Sequence, residues 1–249
     1  MIRLRAPTLA PEPAHPSEQR RAEALDRTQA IAERYAAQAH HPYEHRTLDA
    51  TLRVLDVVIA GTLLAVTAPL LGALMLLILL TSGRPVLYRG VRVGRAGRTF
   101  TMYKLRTLRP DAEMRLGPYQ AAALDMRTEA ELTRLGRRLR AMHLDELPQL
   151  WNVMRGDMSL VGPRPIRPVF FEQLCEEIPQ YWQRLVVRPG LTGFAQLRMA
   201  RDMSWSEKLA HDLEWLADRS VGLYLRLLVA TGVRILARGA GDAVGLRRT

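Results

Sequence analysis

From Val57 to Leu80 the chain is an almost unbroken apolar run of 24 residues, and no charged side chain occurs between Asp56 and Arg84. A helix of that length measures about 36 Å, enough to cross a hydrocarbon core of roughly 30 Å. The run starts too far along the chain to be a cleavable signal peptide, and it lacks the small-residue cleavage site. Pro69 divides it near its midpoint into halves that each reach only about 18 Å. Two conformations satisfy this pattern: a kinked helix that spans the bilayer, or a re-entrant hairpin with both ends on one side. Arg46 and Arg53 precede the segment, while Arg84, Arg89, Arg92, Arg95 and Arg98 follow it. Either conformation then leaves the bulk of the protein in the cytoplasm.

Beyond that segment the periodicity changes. Val86 to Val93 and Arg98 to Thr107 alternate like two strands around Gly94-Arg95-Ala96-Gly97, a hairpin pattern. The alternation sets Phe100, Met102, Lys104 and Arg106 on one face. A row ending in two cations can grip a diphosphate, or it can keep a solvated strand edge basic. Glu129 to Met142 reads as a helix with Leu132, Leu135, Leu139 and Met142 inward and Arg134, Arg137 and Arg138 outward. Arg140 lies just upstream of the next feature, LDELPQLWNV from Leu144 to Val153.

In that stretch Leu147, Leu150, Trp151 and Met154 follow helical spacing, Pro148 is tolerable within a first turn, and Gly156 is placed to end the helix. Asp145 and Glu146 therefore stand at the positive helix end, which favours an ionised Asp145 and draws in anions. An acidic N-cap without chemistry is the plainer alternative. Downstream, Gly162-Pro163-Arg164-Pro165 holds one arginine between two prolines, either as a phosphate clamp or as a rigid surface turn. Arg188-Pro189-Gly190 and Gly193 form a second tight turn. Trp205 to Trp215 is a helix carrying Lys208 and Asp212. Val221 to Leu236 is a Leu-rich helix with Arg226 and Arg234, suited either to a membrane interface or to packing on the core.

Composition narrows the partners. Lys and Arg number 36 against 25 Asp and Glu, a formal charge of +11, which favours anionic partners: nucleic acid, lipid headgroups or phosphorylated substrates. No nucleic-acid module or aromatic stacking platform accompanies the arginines, so nucleic acid is set aside. One cysteine, Cys175, excludes an intrachain disulfide framework and points to a reducing compartment. Residues 1–48 read as a peripheral extension, helix-like from Ser17 to Gln38, with His40 and His41 as solvated linker residues.

Five motifs together resemble the bacterial sugar transferase family, the monotopic polyprenyl-phosphate phosphoglycosyltransferases. They are RVLDVVIA ahead of the proline-broken segment, RVGRAGRTFTMYKLRT, LTRLGRRLRAMHLDELPQLWNVMRGDMSLVGPRP, VRPGLTGFAQ and WSEKLAHDLEW, covering about Arg53 to Leu236. The resemblance implies an α+β, mainly helical fold. Residues 49–83 would form a re-entrant helix-break-helix with Pro69 at the break. Residues 84–238 would form a cytosolic catalytic domain with a small β-hairpin and amphipathic interfacial helices, followed by a basic tail, 239–249. Larger relatives carry a further multi-helix membrane domain, and the chain is expected to be the small form without it.

The resemblance also implies a Mg²⁺-dependent transfer of a sugar 1-phosphate from a UDP-sugar to undecaprenyl phosphate at the cytoplasmic face of the bacterial inner membrane, with release of UMP. Exopolysaccharide, capsule, O-antigen and glycoprotein synthesis all begin this way. Asp145 would be the nucleophile that forms an aspartyl-phosphosugar, and Glu146, with Asp145, would hold the metal. Lys104, Arg106, Arg140, Arg164 and Arg188 would surround the phosphates, and Asp212 would be an acid near the site. Inner-membrane lipid is a partner, and a homodimer is compatible. Ala68 stands where a serine is common, Gly90 where glutamine is, His143 where Ser or Thr is, and Tyr224 where aspartate is. A non-catalytic membrane scaffold of a polysaccharide assembly system is the rival reading, and intact Asp145, Glu146, Lys104 and Arg164 argue against it.

Overall fold

A computed structural model describes residues 30, 31, 33, 46–110, 112, 128–198 and 203–243. The helix expected at Ser17 to Gln38 and the His40-His41 pair fall almost wholly outside them, as does most of the basic tail. The described chain is mainly helical with two small two-stranded sheets, an α+β arrangement.

Helix α1, Arg46–Ser82, is 37 residues long and continues through Pro69, so the expected break is not an end of helix. Within the apolar surface, Thr62, Thr67 and Thr81 donate their hydroxyls to the carbonyls four residues back, of Val58, Leu63 and Leu77. That satisfies polar groups in a setting with no other partner. It is the one described helix long and apolar enough to cross a membrane.

Both ends of α1 pack on the same domain. Leu52, Asp56 and Ala60 are buried near its start, and Ile78 is buried near its end against Leu105 and Leu139. Between them Leu63, Val66 and Leu70 are exposed. Buried Asp56 is the main tie: its Oδ1 accepts from Ser159 Oγ at 2.9 Å, Leu160 N at 2.8 Å and Tyr224 OH at 2.8 Å. Tyr224, at a position where aspartate is common, is thus a buried donor to a carboxylate.

Strands β1, Leu87–Val93, and β2, Thr99–Leu105, form the expected antiparallel hairpin, with Tyr88 opposite Lys104. Its connection uses Ala96 and Gly97 at positive φ. Helix α2, Arg134–Ala141, starts later than the hydrophobic pattern predicts, because Thr133 caps it by accepting from Gly136 N at 2.8 Å. Leu132 is instead bridged to Leu108 in an extended segment. Arg134, Arg137 and Arg138 face out as expected, but Met142, placed inward by periodicity, is 48% exposed because the helix has already ended.

A 3₁₀ turn, Leu144–Glu146, then leads into α3, Gln149–Arg155. The continuous helix expected from the acids onward does not form. Pro148 lacks an N–H and would crowd the carbonyl four residues back, so the chain closes tighter bonds, with Leu147 N donating to Leu144 O at 3.3 Å. Trp151, although it shares helical spacing with Leu147 and Leu150, is 51% exposed. Neighbouring Asn152 sets that orientation: fully buried, it accepts from Tyr103 N at 3.0 Å and donates to Thr101 O at 2.7 Å.

Strands β3, Ser159–Val161, and β4, Gly190–Thr192, pair in parallel. Their connection is α4, Pro168–Glu177, and a 3₁₀ run, Pro179–Val186. The two strands, three residues each, are too short to show periodicity in the sequence. Their glycines are dictated by contact: a Cβ on Gly190 would stand 2.0 Å from Gly162 N. Helices α5, Phe194–Arg198, α6, Trp205–Asp218, and α7, Val221–Ala243, complete the domain. α6 opens with a capping box between Ser204 and Glu207. α7 buries Tyr224 and Leu227 while leaving Leu225, Val229, Val233 and Leu236 exposed.

Candidate active site

The acids reach the hairpin because of Asn152. By holding α3 against the backbone of β2, it brings the preceding 3₁₀ turn alongside Lys104. Lys104 Nζ lies 2.6 Å from Glu146 Oε1, and Arg164 Nη2 approaches the same oxygen at 3.6 Å. Burial raises the Glu146 pKa, but the two cations outweigh it and hold the carboxyl down at about 2. Lys104 is itself lowered, chiefly by burial, with Glu146 opposing.

Asp145 differs from its neighbour. Its side chain is buried, yet no hydrogen bond or ion pair reaches its carboxylate among the described residues. Burial pushes its pKa up, Lys104 pulls down and Glu146 pushes up again. The sequence argument that a helix end favours the ionised form is therefore outweighed by desolvation. An ionised carboxylate that is desolvated and keeps its lone pairs unused is a better nucleophile than one tied up in hydrogen bonds.

Arg140 contributes from α2, where its Nε donates to Thr107 Oγ1 at 3.0 Å. Thr107 O in turn accepts from Thr133 N at 3.0 Å. The approach is so close that a Cβ on Gly136 would stand 2.0 Å from that carbonyl. His143 precedes the acids in the left-handed region, φ 56°, with its side chain exposed.

Arg164 is held from behind. Its carbonyl accepts from Arg184 Nη2 at 2.9 Å, and Arg184 pairs with Asp212 Oδ2 at 2.7 Å. Arg184 also donates to Tyr181 OH at 2.8 Å and lies over that ring. Asp212 thus touches the site only through Arg184 and the Arg164 backbone. Arg184 and Asn152 were missed in the sequence. Arg184 belongs to none of the motifs, and only Asn152's place inside an apolar helix face offered a signal.

Two other arginines go elsewhere. Arg106 is buried and donates to the carbonyls of Ser82 and Gly83, fastening the end of α1, so it does not share a face with Lys104 as strand alternation had it. β2 ends at Leu105, which breaks that alternation. Arg188 donates from Nε to Gly156 O at 2.9 Å, beyond the far end of α3 from the acids. The structure thus groups Asp145, Glu146, Lys104, Arg140 and Arg164.

No group of three or more His, Cys, Asp or Glu side chains suited to a metal occurs among the described residues. Two adjacent carboxylates remain, a donor set too small for a closed site. It fits Mg²⁺, which commonly takes one or two carboxylates and completes its shell with water and substrate phosphates.

Residues 48–238 match a protein-family model described as bacterial sugar transferase. The chain is 41% identical over 195 residues to a UDP-glucose:undecaprenyl-phosphate glucose-1-phosphate transferase of Caulobacter vibrioides, covering 76% of this chain and 71% of the relative. It is 38% identical to an Aeromonas hydrophila UDP-N-acetylgalactosamine-undecaprenyl-phosphate N-acetylgalactosaminephosphotransferase, covering 76% of this chain and 44% of that protein. It is also 35% identical to the exopolysaccharide production protein PSS of Rhizobium leguminosarum bv. phaseoli, across 76% of this chain and 96% of the relative.

Proposed function

The chain belongs to the bacterial sugar transferase family, and from that premise we propose that it transfers a sugar 1-phosphate from a UDP-sugar to undecaprenyl phosphate, releasing UMP. The observation that carries this reading is the buried, unpartnered carboxylate of Asp145 beside Lys104, Arg140 and Arg164. One Asp145 oxygen attacks the phosphorus attached to the sugar. The bond from that phosphorus to the bridging oxygen breaks, and UMP leaves with the electron pair. An oxygen of the polyprenyl phosphate then attacks the same phosphorus and displaces Asp145, giving a polyprenyl diphosphosugar and the free carboxylate.

The surrounding residues divide the work. Lys104 and Arg164 hold Glu146 ionised and offer positive charge to phosphoryl oxygens as charge builds on them. Arg140, braced by Thr107, faces the same space from α2. Asp145 and Glu146 Oε2 would hold Mg²⁺, which when bound supplies charge neutralisation for the diphosphate.

Membrane association supports the choice of acceptor, whose tail stays in lipid. α1 leaves a long apolar surface uncovered, and α7 exposes Leu225, Val229, Val233 and Leu236 beside it. Both ends of α1 bind one domain, which supports the re-entrant conformation over a spanning one; the arginines that flank the segment on both sides support a cytoplasmic position for that domain. Relatives matched along the chain transfer glucose or N-acetylgalactosamine phosphates, so either donor class suits this reading.

The test is UMP release by detergent-purified protein given undecaprenyl phosphate, Mg²⁺ and a panel of UDP-sugars, run beside Asp145→Asn. Release with one sugar, lost in the variant and on chelation, is the expected result. Folded protein that releases no UMP with any sugar would overturn it. Mg²⁺ binding is checked separately, by Mn²⁺ paramagnetic relaxation in wild type against Glu146→Gln.

A further inference from the structure

Beyond the far end of α3 from Asp145 lies a cavity of about 40 Å³, half open to solvent. Arg53, Arg95, Arg188 and Arg219 line it, with Asp49 and Asp56 as its only acids. Four guanidiniums against two carboxylates leave the wall at a formal +2. The acids are also committed: Asp49 pairs with Arg219 at 2.8 Å, and Asp56 accepts three hydrogen bonds from Ser159, Leu160 and Tyr224.

Arg53 and Arg188 are fixed from behind. Arg53 donates through both terminal nitrogens to Val153 O and Met154 O, at 2.6 and 2.8 Å. Arg188 uses Nε on Gly156 O, which leaves its Nη1–Nη2 pair with no partner among the described residues. The Arg188 pKa is lowered, first by burial and then by repulsion from Arg95 and Arg53. Mutual repulsion between cations in one cavity is the condition an anion relieves.

We infer that this cavity is a second anion site, which takes a phosphate group on the Arg188 fork with Arg53 and Arg95 as its flanks. Arg is suited to that role by its planar pair of donors. Asp49, Leu52, Arg53 and Asp56 lie in the first turns of α1, just before the apolar run begins. A phosphate there can come from a lipid headgroup at the membrane surface or from a soluble phosphate compound. The inference stands apart from the transfer reaction, so it is tested by binding and not by turnover.

Inorganic phosphate is titrated into the full chain in neutral detergent by calorimetry, with Arg188→Gln, Arg95→Gln and Lys104→Gln alongside. Arg95 belongs to the hairpin turn, outside the apolar clusters, and keeps the test readable if Arg188→Gln does not fold. In parallel, native mass spectrometry counts phosphatidylglycerol retained from nanodiscs. The expected result is an affinity weakened at least tenfold in the Arg188 and Arg95 variants but kept in Lys104→Gln, or one retained lipid lost in the same two variants. The first outcome assigns a soluble phosphate and the second a lipid headgroup. Folded variants that match wild type in both arms overturn the site.

Discussion

Asp145 and Asp212 are both buried acids whose pKa burial drives upward, and they are solved in opposite ways. Asp212 is clasped by Arg184 at 2.7 Å, whereas Asp145 touches no donor among the described residues and is only surrounded by charge. A paired buried acid holds structure. An unpaired one costs stability, and is retained where chemistry needs free lone pairs.

The largest expected effect is on turnover. Asp145→Asn should lower kcat by on the order of 10³-fold or more, because no other described group can replace the nucleophile. It should not lower stability at neutral pH. A carboxyl whose folded pKa is raised stabilises fully only below its unfolded pKa, and that contribution is lost as pH rises through the folded value. Removing the charge removes that loss, so thermal unfolding of the variant at pH 7 should match or exceed wild type. A variant that unfolds much earlier would put Asp145 in the same class as Asp212.

Asp212→Asn should show the reverse: a stability loss of about 3–5 kcal/mol, as expected when one member of a buried ion pair is removed. Denaturant unfolding measures it. Replacing both partners, Arg184→Met with Asp212→Leu, should recover much of the loss while leaving kcat/KM low, since the Arg164 carbonyl still lacks its donor. Full recovery of activity would remove Arg184 as a positioning residue.

Glu146 stands between these two acids, paired yet within the site. Its folded pKa of about 2 lies below the ordinary 4.5, so its contribution is present above the unfolded pKa and is lost as pH falls toward 2. The shift corresponds to roughly 3 kcal/mol. Lys104→Met should move that acid limb upward, measured by unfolding between pH 2 and 5. An unmoved limb would separate Glu146 from Lys104.

Acid roles were legible in the sequence to different degrees. The Asp145-Glu146 pair, Lys104 and Arg164 stood inside motifs, and their grouping needs only the hairpin and the helix that follows the acids. What periodicity could not show was the effect of single polar anchors. Asn152 rotates α3 so that Trp151 faces out, Thr133 delays the start of α2 so that Leu132 falls before it, and Pro148 converts the acids' helix start into a 3₁₀ turn. Arg106 and Arg188 share residue type and neighbourhood with the site arginines. Their destinations are set by carbonyls at Ser82, Gly83 and Gly156, which no local pattern announces.

The smallest expected effect separates arginines on one helix. Arg137 and Arg140 both belong to α2, but Arg137 is exposed and pairs with exposed Glu129 at 3.1 Å, while Arg140 turns toward Thr107 beside the acids. An exposed pair contributes about 0.5 kcal/mol or less, so Arg137→Ala should leave both unfolding and UMP release close to wild type. Arg140→Ala should lower release by on the order of tenfold, through lost charge at the phosphoryl oxygens. If the two substitutions act alike, charge on α2 works through the general field of the +11 protein, and the position of Arg140 carries no special meaning.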